Sequence, residues 1–178
     1  GDVYKRQQYT QLIARRVREL NIYCEIFPFN HINYNMDDYK ALILSGSPYS
    51  VRSKDSLKID IDKIRGILPI LGICYGAQLL ADSCGGEVKP SKTREYGRAN
   101  LNRVDNSNNI FSNIRDGSQV WMSHADTIFK LPFSSKRIAS TKDVKNAAFQ
   151  FNDENTFGIQ FHPEVYHSKD GKEILKSI

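Results

Sequence analysis

The chain has 178 residues, 40% of them hydrophobic and 25% charged, with a formal net charge of +5. That length supports one domain with a substantial core, and the composition is that of a soluble globular protein, not a disordered or fibrous one. No apolar stretch approaches a membrane span, no secretory leader opens the chain, and three unevenly spaced cysteines exclude a disulfide framework and a paired zinc-ligand pattern, pointing to a reducing cytoplasm.

Gly1 to Gln7 carry almost no apolar run and read as a non-native or truncated N-terminal stretch, leaving residues 8–178 as the domain. Tyr9 to Leu20 has helical spacing, with Leu12, Ile13, Ala14, Val17 and Leu20 on one side and Arg15, Arg16 and Arg18 mostly outside. Tyr23 to Phe27 predicts a short strand ending at Pro28. Ala41 to Leu44 predicts a second, running into the loop Ser45-Gly46-Ser47-Pro48-Tyr49-Ser50. A helix is expected over Ser56 to Ile64, then an apolar strand from Ile67 and a helix from Gln78 that ends at Gly85-Gly86. Beyond Val88 come shorter strand-like pieces: Ala99 to Val104, Gln119 to Met122, Arg137 to Thr141, Ala147 to Phe151 and Phe157 to Phe161. Turns such as Asn106-Ser107-Asn108-Asn109 separate them. Strands alternating with helices predict an α/β fold with an open, mostly parallel, flavodoxin-like sheet, and extra antiparallel strands in the second half of the same domain.

Two places on this scaffold carry chemistry. Gly72-Ile73-Cys74-Tyr75-Gly76 has the form of a nucleophile elbow, with cysteine in the place of serine. The flanking glycines relieve the crowding of a sharp strand-to-helix turn, and the helix N-terminus stabilises a thiolate. A lone cysteine in an apolar segment is as readily a small buried hydrophobe. The second place is His162-Pro163-Glu164, just past the C-terminal end of the Phe157 to Phe161 strand, the edge where sites of open α/β sheets assemble. His162 there can serve as base to Cys74, and Glu164 can orient its other ring nitrogen across the stiff Pro163. Taken alone, a His-Pro-Glu tripeptide is a surface turn. The loop at Gly46 is placed to offer backbone N–H groups to a developing oxyanion; the rival phosphate cradle lacks the G-x-x-x-x-G-K pattern.

These segments together resemble the class I (triad) glutamine amidotransferases. They are Gly72 to Gln78, Ser45 to Val51, Trp121-Met122-Ser123-His124-Ala125-Asp126 and Gln160 to Val165, in that order. Within that family, Gln8 to Glu19, Arg94-Glu95-Tyr96-Gly97 and Trp121 to His124 look like the amidotransferase domains of the GMP synthases. The resemblance covers the chain from about Gln8 onward. It implies that Cys74 attacks the side-chain amide of L-glutamine to give a γ-glutamyl thioester and ammonia. His162 would act as base and then acid, oriented by Glu164, and the backbone N–H groups of Gly46 and Tyr75 would form the oxyanion hole. Gln78 and the main chain at Ser123 and His124 would hold glutamine, with Asp126 at its α-amino group. Arg94, Glu95, Tyr96 and Gly97 would lie near an interface with a partner ATP pyrophosphatase domain or subunit that uses the ammonia to aminate XMP to GMP. The glutaminase half-reaction needs no cofactor or metal; ATP and magnesium belong to that partner, whose Ser-Gly-Gly-x-Asp-Ser loop is absent from this chain.

The resemblance also implies an apolar strand ending in Asp-Phe-Gly-Ser before Gln8, where Gly1 to Gln7 stand instead, so the sheet is expected to be one strand short. Ser47 replaces a common glycine of the oxyanion loop. Two other readings keep the same fold: a non-catalytic glutamine-binding regulatory module, and a γ-glutamyl thiol hydrolase working without a synthetase. The intact set of Cys74, His162 and Glu164 argues against the first, and Arg94 to Gly97 with Trp121 to Asp126 against the second. A nucleic-acid role has only the charge to rest on. Cys24 and Cys84 read as structural and His31 and His167 as surface groups. His124 is the weaker candidate for the base.

Overall fold

The apolar run before Cys74 forms strand β2, Ile70–Ile73, all four residues buried. In this computed structural model, residues 2–31, 36–46, 50–54, 56 and 59–178 are described, without the side chains of 2–7 and 92–95. β2 lies parallel to β1 (Leu42–Leu44) on one side and to β7 (Thr156–Ile159) on the other. β6 (Ala148–Phe151) and β5 (Ser135–Ala139) extend the sheet antiparallel, in the order β1-β2-β7-β6-β5. A second sheet is a two-stranded antiparallel ribbon of β3 (Glu87–Asn100) and β4 (Gln119–Lys130). The α/β class with a mostly parallel core and added antiparallel strands is the architecture read from the sequence.

The period-two alternation of the strands divides the core between two faces. Leu71, Ile73, Phe157 and Ile159 pack with Ile13 and Val17 of helix α1 (Asp2–Glu19) and with Ile174 and Leu175 of helix α3 (Gly171–Lys176). Ile70, Phe149 and Phe151 pack with Leu79 and Leu80 of helix α2 (Tyr75–Ser83) and with Val88 and Ile128 of the ribbon. Each such side chain contributes about 2 kcal/mol by leaving water, which outweighs any difference in local propensity. α2 stops where expected: Gly85 takes φ +82°, and the Gly86 N–H returns 2.8 Å to the Ala81 carbonyl. No described helix is long and apolar enough to cross a membrane.

Several local expectations differ from the structure. Tyr23 to Phe27 is not a strand: the segment is irregular, with Tyr23 84% exposed and Phe27 50% exposed. A strand exists only when a neighbour takes its hydrogen bonds, and among the described residues β1 pairs with β2 alone. Of the helix expected over Ser56 to Ile64, the described part holds one 3-10 turn, Ile61–Lys63; Ile61 and the following Ile64 are buried. Arg94 to Gly97 lies in the middle of β3, and β4 runs on through Lys130 instead of ending at Met122. These polar strands are stabilised by each other's backbone, so their apolar content understates them.

Candidate active site

Cys74 directly follows β2 and caps α2 with φ +52° and ψ −102°. A non-glycine residue in that region is strained, which marks a nucleophile elbow. The glycines beside it are sterically required: a Cβ on Gly76 would lie 2.0 Å from the Leu44 carbonyl oxygen, and one on Gly72 2.7 Å from Gly76 backbone. The Cys74 N–H donates to the Ile159 carbonyl at 2.8 Å, and its own carbonyl accepts from the Gln78 N–H at 3.1 Å. The elbow is thereby fastened to the end of β7 and to the first turn of α2.

The sheet register brings the other parts to the same edge. Leu44 stands opposite Gly72 and Ile159 opposite Ile73, so the residues just past β1 and β7 flank Cys74. Past β1 comes Gly46, with φ +24°; Ser47, Pro48 and Tyr49 of its loop lie outside the described residues. Tyr75, the other expected oxyanion donor, is the first residue of α2, where backbone N–H groups point out of the helix end. Past β7 come Gln160 and His162. Gln160 directs its side-chain amide at the Cys74 sulfur, Nε2 to Sγ 3.7 Å, and the Ser123 carbonyl lies 3.7 Å from the same sulfur.

His162 and Glu164 form a closed pair. Nδ1 of His162 is 2.7 Å from Oε1 of Glu164, and Glu164 is 1% exposed. The Cys74 sulfur is close enough to the His162 imidazole to favour its protonated form. Burial pushes the imidazolium down, but the Glu164 carboxylate and the Cys74 sulfur outweigh it and hold His162 well above its usual value. The main chain is tied equally firmly: the His162 N–H donates to the Trp121 carbonyl at 2.9 Å, and Ser168 Oγ donates to the His162 carbonyl at 2.5 Å. The tight contact of α3 continues this support, since a Cβ on Gly171 would fall 1.8 Å from the Pro163 oxygen. His124, the alternative base, is instead buried on β4 with Nδ1 2.9 Å from the Asp126 carbonyl.

The expected glutamine-binding residues cluster beside this triad. Gln78 is buried and its Nε2 donates to the Asp126 carbonyl at 2.9 Å and to Gln160 Oε1 at 3.2 Å. The Asp126 carboxylate accepts from Ser50 Oγ at 2.5 Å and from Arg52 at 3.3 Å, so it ties down the segment that follows the Gly46 loop. Tyr96 is exposed and stands opposite Ser123 in the ribbon, and Gly97 takes φ +129° with open space around it; the Arg94 and Glu95 side chains lie outside the described residues. Cys24, Cys74 and Cys84 are free thiols. His167 is not a bare surface group, because it stacks on Trp121 at 4.8 Å.

Four side chains at the site have contacts that no local chemistry in the sequence marks. Gln160 sits just past β7, two residues before His162, and opens the Gln160 to Val165 segment without a local sign that its amide meets the sulfur. Ser50 closes the Gly46 loop and Arg52 follows it, with nothing local to mark their contacts with Asp126. Arg16 passes for a solvated arginine, yet its Nε donates 3.0 Å to the Glu164 carbonyl.

The model of the glutamine amidotransferase class-I family matches residues 2–178. A GMP synthase [glutamine-hydrolyzing] of Christiangramia forsetii is 59% identical over 170 residues, 96% of this chain and 33% of that protein. The GMP synthase [glutamine-hydrolyzing] of Flavobacterium psychrophilum matches with the same identity and coverage. The chain thus spans about a third of the length of the curated relatives it matches. Among solved structures, a putative GMP synthase subunit of Thermoplasma acidophilum superposes with a TM-score of 0.81 at 29% identity, covering 94% of this chain and 85% of that one. A glutamine amidotransferase of Thermotoga maritima shares the fold, with a TM-score of 0.70 at 23% identity over 86% of this chain and 70% of its own.

Proposed function

Because the chain belongs to the glutamine amidotransferase class-I family, we propose that it hydrolyses L-glutamine at Cys74 and supplies ammonia to the synthetase part of a GMP synthase. The observation that carries this reading is the strained Cys74 elbow facing a buried His162–Glu164 pair from the adjacent strand.

The chemistry follows from the geometry. His162, held well above its usual value, is suited to take the proton of the Cys74 thiol as the sulfur attacks. Sγ attacks the amide carbon of glutamine, and the negative charge moves to the carbonyl oxygen, where the N–H groups of Gly46 and Tyr75 receive it. His162 passes its proton to the departing nitrogen, ammonia leaves, and a γ-glutamyl thioester remains. Neutral His162 then takes a proton from water as the hydroxide adds to the thioester. Collapse expels the thiolate and releases glutamate. Glu164 stabilises the imidazolium at both ends of the cycle without changing its own protonation. Gln78, Ser123, His124 and Asp126 surround the position that the amino-acid end of glutamine takes.

The relatives named GMP synthase are about three times as long as this chain. In this reading the ammonia serves ATP- and magnesium-dependent amination of XMP on a partner domain or subunit, in the cytoplasm. No metal or cofactor enters the glutaminase half. The test is glutamate release from glutamine by this chain and by Cys74→Ala, each with and without a GMP synthetase partner, ATP and XMP. Turnover that disappears in the variant and rises with the partner supports an ammonia donor. Glutamine binding without turnover in any condition would replace it with a regulatory module.

A further inference from the structure

Tyr9 of α1 stacks on the imidazole of His162, with ring centroids 4.4 Å apart and planes inclined by 26°. Two turns along the same helix, Arg16 Nε donates to the Glu164 carbonyl at 3.0 Å. Seven residues at 3.6 per turn return to nearly the same side, so Tyr9 and Arg16 present one face of α1, about 10 Å apart, to the two ends of His162-Pro163-Glu164. Arg16 is itself steadied by Glu19, whose Oε2 accepts from it at 2.9 Å. Ile13 and Val17, on the neighbouring stripe, anchor the helix to the core.

We propose that Tyr9 is a positioning residue: its ring face fixes the plane of the His162 imidazole, so that Nε2 meets Cys74 while Nδ1 meets Glu164. This rests on the glutaminase reading above. The hydrogen bond to Glu164 fixes one atom of the imidazole but leaves the ring able to tilt about that contact. A flat partner on the ring face removes the tilt. The same face favours the protonated ring, because the negative side of an aromatic quadrupole attracts a cation. The face and not the hydroxyl makes this contact, so phenylalanine retains it and leucine does not.

The experiment compares Tyr9→Leu and Tyr9→Phe in the full chain, with thermal melts to establish folding. Tyr9→Leu is expected to lower kcat about tenfold with KM for glutamine unchanged, the cost of a misaligned general acid. Tyr9→Phe is expected to stay within about twofold of the parent. A second readout does not depend on turnover: an NMR titration of the His162 C2 proton, assigned with His162→Asn. Losing the ring face moves that titration to lower pH in Tyr9→Leu and leaves it in place in Tyr9→Phe. An unshifted titration in folded Tyr9→Leu overturns the proposal whether or not the parent is active. So does a Tyr9→Phe protein as impaired as Tyr9→Leu, or a loss expressed in KM alone. A parent without glutaminase activity whose titration still shifts in Tyr9→Leu counts against the glutaminase reading and leaves the stack standing.

Discussion

His162 and Glu164 are joined side chain to side chain at 2.7 Å although only Pro163 separates them, and Oε2 of Glu164 has no hydrogen-bond partner among the described residues. The carboxylate is therefore committed to a single imidazole nitrogen. Replacing Glu164 by Gln keeps the shape and removes that charge. The expected outcome is a kcat lower by on the order of 100-fold or more, with the protein still folded. Steady-state glutamate release beside a thermal melt checks it; a Glu164→Gln enzyme with kcat within threefold of the parent contradicts the orienting role.

The raised proton affinity of His162 makes stability depend on pH in a stated direction. The folded protein holds that proton more tightly than the unfolded chain, whose histidine titrates near 6.5. The contribution is complete below the unfolded value and is lost as pH rises through the higher folded value. Melting temperatures of the parent and His162→Asn, measured from pH 5.5 to 9, should differ most at the acid end and converge toward the alkaline end. A difference that grows with pH would mean that burial dominates and the histidine is held neutral.

Asp126 joins the ribbon to the segment after β1 through Ser50 and Arg52. The Arg52 side chain is 45% exposed, so this ion pair contributes little to stability, less than about 1 kcal/mol. Its effect belongs to the site: Arg52→Ala is expected to raise KM for glutamine several-fold with a melting temperature within about 2 °C of the parent. The double variant with Asp126→Asn should show less than the sum of the two single effects, since both break one contact. Full additivity would show that Asp126 acts on glutamine independently of Arg52.

Gly171 opens α3 against the backbone of Pro163, where a methyl group has no room. Gly171→Ala forces α3 and the His162 to Glu164 segment apart. The expected cost is about 2–3 kcal/mol, visible as a melting temperature several degrees lower, together with a large loss of turnover. A variant with parental stability and activity would mean that α3 moves freely over the site.

The parts of the site that were legible in the sequence are those whose chemistry is local. Gly72 to Gly76 carries its own steric reason, and His162-Pro163-Glu164 places a base and its carboxylate within one turn. The β2 and β7 strands were legible for the same reason: both are buried on two faces and read as short apolar runs. Tyr23 to Phe27 has the side chains of a strand but not a partner strand, and pairing is not written in a segment's own residues. The reverse holds for β3, where Lys89, Pro90 and Arg98 disguise a strand that exists through its pairing with β4. Tyr9 and Arg16 looked like ordinary helix positions because their partners lie at the other end of the chain.

The ribbon strand β4 is also a ruler. Its carbonyls at Gln119, Trp121, Ser123 and Asp126 meet, in turn, the Lys169 N–H, the His162 N–H, the Cys74 sulfur and the Gln78 amide. Each residue added to an extended strand displaces its successors by about 3.4 Å and turns them to the opposite face. An insertion or deletion anywhere between Gln119 and Asp126 therefore has no harmless position, because some marks stay in place while the rest slide past their partners. Length variation among proteins built on this plan should be excluded from that span and tolerated in the exposed loop around Asn106 and Ser107.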